Sequence, residues 1–202
     1  MVDLTPNHPE QLAALVIVTS FAAGLNVYAT VATLGLLARL GLVNLPMSLE
    51  PVSHWWVIGL CGFLYVIEFF ADKIPAFDLV WNTLQTFVRV PAGALLAYGA
   101  MGHTSPIAHV LATALGGAIA FAAHGAKTAA RVAVTPSPEL FSNIALSTGE
   151  DALAIGLTWL STQHPFWAAG IVIGLLAAIV ALAGWIVRAI RTLIRRRHRT
   201  AW

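Results

Sequence analysis

Charged residues lie inside or beside the longest apolar segments of this 202-residue chain, and their placement constrains its fold. The chain is 58% hydrophobic and only 10% charged, whereas a soluble domain carries about 25% charged residues. An ionisable side chain in hydrocarbon costs roughly 3 kcal/mol, so such groups usually pair inside a helix bundle or line a wet path. We therefore predict an all-α polytopic membrane protein with a charged interior. The charged residues concerned are Glu68, Asp72, Lys73, Asp78, Arg89, Lys127, Arg131, Glu150 and Asp151.

The apolar runs predict about six transmembrane helices, some of them broken, in a single transmembrane domain over residues 1–202. A bilayer core takes about 20 apolar residues per helical crossing. The first run is longer than that and is expected to break near Gly24 and Asn26, while Pro91 is expected to kink or divide the third. The segment from Asn44 to Ser53 is predicted to be a loop. The predicted crossings lie near 11–41, 54–74, 78–101, 106–132, 140–161 and 165–194.

The C-terminal segment 188–202 holds six of the eleven basic residues. Arginines directly after an apolar helix are typical of a cytoplasmic helix end in contact with anionic lipid, rather than of nucleic-acid binding. With an even number of crossings, the N-terminus is then expected in the cytoplasm as well. Arg39 is evidence against this arrangement, because it would lie on the side of the membrane opposite to the cytoplasm.

The first half of the chain contains a closely spaced pair of carboxylates. Glu68 and Asp72 are four residues apart, which places them on one face of a helix. Two such groups repel each other unless a cation lies nearby or one of them holds a proton. Lys73 and Arg89 are the local candidates for that cation.

The second half contains both signs of charge. Lys127 and Arg131 are four residues apart, and Glu150 and Asp151 are adjacent. Because an unpaired buried charge costs several kcal/mol, we predict that the two cations lie within ion-pair distance of this second carboxylate pair or of the first. The near-neutral total charge suits structural ion pairing and also a gated path.

A short repeat favours an internal duplication. Phe-Ala-Ala occurs at 21–23 and again at 121–123, and a carboxylate pair follows in each half. Halves of three crossings, 11–101 and 106–194, would form a 3+3 inverted repeat, an architecture common in transporters.

The uncharged candidates for a solute or ion path are Asn26, His124, Ser142 and Asn143. Each has a structural interpretation: Asn26 in hydrogen bonding between helices, Ser142 or Asn143 as a helix cap. The chain has one cysteine and lacks the H-E-x-x-H, G-x-S-x-G and Walker patterns. We therefore assign no catalytic residue, no metal site and no cofactor.

Three blocks of sequence resemble a bacterial membrane-protein family, domain of unknown function 4126. They are SFAAGLN at 20–26, EFFADKIPAFD with TFVRVPAGAL at 68–95, and HGAKTAARVAVTPSPELFSNIALSTGED at 124–151. The chain departs from the family pattern at Ala76, where glycine is usual, and at Leu140, where proline is usual; both departures concern turns. The resemblance implies a multi-pass protein of the bacterial inner membrane and implies no substrate.

Because the resemblance implies no substrate, we infer the function from the charged interior. We predict a transporter or channel for a small solute or ion, with proton coupling as an option. The alternatives are a structural or assembly protein and an intramembrane lipid-handling enzyme. The expected partners are the bilayer, the solute or ion, and anionic lipid at the arginine tail, without nucleic acid; oligomer formation is left open.

Overall fold

The computed structural model describes the backbone of residues 2–3, 9–73, 75–102, 104–134 and 140–199, and the side chains of 10–73, 80–102, 104–133 and 144–192. This part of the chain is almost entirely helical, as predicted. It also has a short 3-10 helix, Met47–Ser53, inside the segment predicted as a loop, and two short strands. The strands are β1 (Val2–Asp3) and β2 (Val43–Asn44), and the helices are α1 (Pro9–Leu25), α2 (Val27–Arg39), α3 (Trp55–Ala71), α4 (Pro75–Ala100), α5 (Pro106–Val134), α6 (Leu140–Gln163) and α7 (Pro165–Arg199).

The first apolar run breaks at Asn26, as predicted, but the chain turns back there instead of crossing onward. Asn26 is extended, with φ −151° and ψ 102°, and it caps α2 through its side chain. Ser20, before the break, donates to Gly93 O of α4 at 3.2 Å, and Val31, after it, lines a cavity with the neighbouring Ala92. Helices α1 and α2 therefore reach the same level of α4 and form a helical hairpin with its apex at Asn26.

The strand pairing closes the base of this hairpin. β1 precedes α1 and β2 follows α2, and the two strands pair in parallel with Val2 opposite Val43. A straight continuation of α1 into α2 would separate Pro9 from Arg39 by about 45 Å at 1.5 Å per residue. The structure therefore does not confirm one broken crossing over 11–41, because the same apolar residues are buried by folding back.

Helix α1 is the centre of the bundle and packs against α4, α5, α6 and α7. Its residue Ser20 lies beside Gly93 of α4 and Gly116 of α5, and Gly24 lies beside Ala120 of α5. Helix α5 therefore runs in the direction of α1, and α4 runs against it. The N-terminal end of α1 and the α6–α7 turn line one cavity, so α7 begins beside the start of α1 and runs in the same direction. The long α7 thus ends at the bundle end opposite to the hairpin base.

Small residues allow the close packing of α1, α4 and α5. A Cβ atom added at Gly116 would meet Ala97 Cβ, Gly93 O at 2.8 Å and Ser20 Oγ at 2.8 Å. One added at Gly93 would lie 2.5 Å from Ala120 Cβ. The helix backbones are already in contact, so any larger side chain has to separate them.

We expect Gly116→Val to destabilise the protein by about 1–3 kcal/mol or more through overpacking. Gly125→Val is the matched control on the same helix, because a Cβ at Gly125 meets nothing within 4 Å. Thermal unfolding of both variants in one detergent measures the difference. Equal melting temperatures would show that α5 does not pack as described.

Two helices are long and apolar enough to cross a membrane, over Pro106–Ala133 and Pro165–Thr192. A third candidate is the 3-10 helix together with α3, which meet at a bend of 61°. The structure therefore supports a helical membrane protein with two or three candidate spans plus shorter apolar helices, and it does not confirm six. Helix α4 is continuous through Pro91, so this proline does not divide the helix, and the alternative expectation of a kink stays a prediction.

The duplication stays a prediction, and the two Phe-Ala-Ala sequences occupy different environments. Phe21 is buried, whereas Phe121 is 61% exposed. Helix α1 ends four residues after Phe21, whereas α5 continues to Val134. The repeated letters therefore do not mark a repeated break.

Candidate functional site

Seven charged side chains are buried together near the hairpin apex. They come from α3, its C-terminal end, α4, α5 and α6. At most 8% of any of these residues is exposed. They are Glu68, Asp72, Arg89, Lys127, Arg131, Glu150 and Asp151, which we call the charged cluster.

Arg89 of α4 joins α3 to α5. Its Nη2 pairs with Glu68, and its Nη1 lies 2.9 Å from His124 Nδ1 and 3.3 Å from Asn82 Oδ1. A guanidinium group only donates hydrogen bonds, so His124 Nδ1 accepts and its Nε2 carries the hydrogen. Nε2 then donates to Thr86 Oγ1 at 2.8 Å. The imidazole ring is thus fixed at both nitrogens.

Lys127 of α5 is shared among three carboxylates and one carbonyl group. Its Nζ lies 2.8 Å from Asp72 Oδ2, 3.4 Å from Glu150 Oε2 and 3.9 Å from Glu68 Oε1. It also donates to Leu25 O at 3.2 Å. This ammonium group therefore joins the two carboxylate pairs to the hairpin apex.

Arg131 repeats this connection one turn further along α5. Its Nη2 lies 2.7 Å from Glu150 Oε2 and 3.2 Å from Asp72 Oδ2, and its Nη1 donates to Asp72 O at 2.8 Å. The last bond satisfies a backbone carbonyl at the C-terminal end of α3, where helical carbonyls lack partners within the helix. The predicted pairing of Lys127 and Arg131 with both halves of the chain is confirmed.

The apex presents two helix ends of opposite polarity to the cluster. Leu25 is the last residue of α1, and its carbonyl faces Lys127, as expected for a cation at a helix C-terminus. Asn26 Oδ1 caps α2 by accepting from Ala29 N at 2.9 Å, and its Nδ2 donates to Asp151 Oδ1 at 2.9 Å. Asp151 therefore lies at the positive end of α2.

The family named domain of unknown function (DUF4126) matches residues 13–185. The chain belongs to this family. The matched region contains the hairpin and the whole charged cluster and ends before the first of the tail arginines, Arg188. No curated protein and no solved structure matches the chain.

Most of the residues predicted from sequence converge at this site, with one exception. Lys73 does not neutralise the Glu68–Asp72 pair: its Nζ donates to Phe69 O at 3.0 Å and lies over the Phe69 ring. Of the two local candidates, Arg89 forms the ion pair. The predicted path residues Asp78, Ser142 and Asn143 lie outside the described side chains.

Sequence reasoning missed the polar residues of α4 at the site. Asn82 and Thr86 lie seven and three residues before Arg89, so they follow the Arg89 face of an amphipathic helix. That periodicity was the available signal. The backbone carbonyl of Leu25 had no signal of its own, because its role depends on the turn at Asn26.

Four cavities lined by described residues lie away from the charged cluster. The one next to the hairpin, of about 380 Å³, is lined largely by apolar residues such as Val31 and Leu96. Another, of about 540 Å³, lies near Tyr98 and His109 at the far end of α4. The described side chains of the cluster itself are joined by ion pairs and hydrogen bonds.

Proposed function

We propose that this protein is a transporter or channel that moves a small solute or ion across the membrane, with the charged cluster as its central site. The observation that carries the proposal is the hairpin apex at Asn26, a break in helical structure that is buried among seven charged side chains.

Membrane proteins restrict such breaks to particular places. Non-helical backbone at membrane depth is tolerated where it is buried in protein or lines a water-filled cavity. Many transporters use discontinuous helices, whose ends present carbonyl groups to cations and amide groups to anions. The Leu25 carbonyl and the N-terminus of α2 would offer both kinds of contact at one point.

The same geometry gives a membrane arrangement for the proposal. The hairpin α1–α2 would enter the membrane from one side and return to it, while α3 to α7 each cross. Helix α7 would face lipid, since only 6% of its most apolar stretch is buried within the protein. The arginines that follow would contact anionic lipid on the cytoplasmic side of a bacterial inner membrane.

A structural role is the second candidate, and it has an observation in its favour. Arg89, Lys127 and Arg131 all have carboxylate partners, so these charges already hold α3, α4, α5 and α6 together. A protein that only maintains this bundle would need the ion pairs to stay closed, whereas a transporter would open them in one step of its cycle.

Asn26→Ala separates these two roles. The purified protein is reconstituted in vesicles that contain a pH-sensitive dye, and gradients of protons, Na⁺, K⁺ and chloride are imposed in turn. We expect flux above empty vesicles for the wild type. In Asn26→Ala the flux should fall about tenfold or more, because a hydrogen bond to a charged group contributes about 1.5–3 kcal/mol.

Thr158→Ala is the control for this experiment. Thr158 is fully buried, but its hydroxyl donates to Ala154 O within its own helix, away from the apex. Its flux should equal that of the wild type. If the wild type carries none of the four ions faster than empty vesicles, the structural role replaces the transport proposal for these ions.

A further inference from the structure

Asp151 differs from the other carboxylates of the charged cluster. Glu68, Asp72 and Glu150 each lie within 4 Å of a lysine or arginine nitrogen, whereas the partner of Asp151 among the described residues is the neutral amide of Asn26. The cluster contains four carboxylates and three cations. It therefore carries one negative charge that no buried cation of the described side chains neutralises.

Two buried oxygen atoms on this side of α6 have no hydrogen-bond partner among the described residues, and they do not bond each other. One is Oδ2 of Asp151, a residue that is 3% exposed, and the other is Oγ of Ser147, which is fully buried. Ser147 lies four residues before Asp151 on α6, so the two side chains share one helix face. Buried polar atoms are nearly always hydrogen-bonded, and an exception calls for a missing hydrogen, water or ion.

The charges that act on Asp151 come from two elements. On the α3 side they are the acidic Asp72, the phenol of Tyr65 and the half-buried Lys73, and on α5 there is Lys127. Lys127 already contacts three other carboxylates. Neither α1 nor α2 places a charged side chain in contact with Asp151; they contribute Asn26 and the N-terminus of α2.

We propose that Asp151 is the proton-binding site of the cluster. A proton from water forms an O–H bond with Oδ2, which converts the carboxylate to a neutral carboxylic acid and leaves the other six charged groups of the cluster in their ion pairs. The Asn26 Nδ2–H bond to Oδ1 persists, since that oxygen still accepts.

The surroundings of Asp151 act on both of its protonation states. The amide of Asn26 and the positive end of α2 stabilise the carboxylate, and loss of the excess negative charge favours the acid. The role of this proton as a coupling step rests on the transport proposal. The binding of the proton does not, and it can be measured without any flux.

Infrared difference spectra between acidic and alkaline buffer test the proposal on the full protein in lipid vesicles. We expect a carboxylic-acid carbonyl band that titrates with pH in the wild type and is absent in Asp151→Asn. A band that survives in Asp151→Asn, or one that responds to Na⁺ at constant pH, would overturn the assignment.

A stability measurement gives an independent result. Asp151→Asn imitates the protonated state and keeps an oxygen that accepts from Asn26, so its melting temperature should equal or exceed that of the wild type. Glu150→Gln is the matched comparison from the adjacent position, and it should melt lower because it weakens contacts to both Lys127 and Arg131. An Asp151→Asn variant that fails to fold would show that the carboxylate is required, against the proposal. A titrating band without flux would refute transport and leave proton binding intact.

Discussion

Lys127→Ala is expected to lower the free energy of unfolding by about 3–5 kcal/mol, the usual effect of removing one partner from a buried ion pair. The reason is the number of groups that share this ammonium: Asp72, Glu150 and Glu68 lie within 4 Å of it, and so does the Leu25 carbonyl. Its loss leaves negative charge beside the C-terminal end of α1, where negative charge is unfavourable. Thermal unfolding in detergent and the amount of protein in the membrane measure the effect.

Arg191→Ala is the control, since Arg191 is an exposed basic residue near the end of α7. It should change stability by less than about 0.5 kcal/mol, as is usual for surface substitutions. The double variant Lys127→Ala with Glu150→Gln removes one charge of each sign. Its loss of unfolding free energy should be smaller than the sum of the losses in the two single variants. Strict additivity would mean that Lys127 and Glu150 are not coupled, contrary to their 3.4 Å separation.

The two termini are expected on opposite sides of the membrane. The chain begins at the base of the α1–α2 hairpin, and α7 ends at the other end of the bundle. In the membrane arrangement proposed above, the hairpin uses no crossing and five helices, α3 to α7, cross after it. The six-crossing topology would instead put both termini in the cytoplasm.

The distribution of charge agrees with this orientation. The hairpin base carries one basic residue, and the opposite end carries the arginine tail, which the positive-inside rule places in the cytoplasm. Arg39, which conflicted with six crossings, is then the single exception on the outer side. The charged residues near the base are Asp3, Glu10, Arg39 and Glu50.

Single-cysteine labelling decides between the two topologies. Cys61 is the only cysteine, so Cys61→Ser gives a cysteine-free background. Met47→Cys introduces a thiol at a position that is 75% exposed near the hairpin base, and a thiol added after Trp202 marks the other end. In intact cells a membrane-impermeant reagent should label the first and miss the second. If neither position is labelled, the N-terminal end is cytoplasmic, as in the six-crossing topology.

A substantial part of the site could be predicted from sequence because charge in an apolar segment has few physical solutions. The free-energy cost of burying Lys127 or Arg131 without a partner is large enough to require that each pairs with a carboxylate. The helical spacing of Glu68 and Asp72 likewise required a nearby cation or a proton on one of them, and Arg89 supplies a cation. Composition was sufficient to predict a helical membrane protein, and the polar residue in a long apolar run was sufficient to predict a break at Asn26.

The direction of the chain after that break depended on the tertiary structure. The same apolar residues can be buried by a straight helix in lipid or by folding back onto α4, and their periodicity does not distinguish the two. Lys73 shows the same limit: it is adjacent to Asp72 in sequence, yet its ammonium group donates to the Phe69 carbonyl. Sequence alone thus determined which groups need partners, whereas the packing of α1, α4 and α5 decided which partners they have, because partner choice depends on distances between residues far apart in the chain.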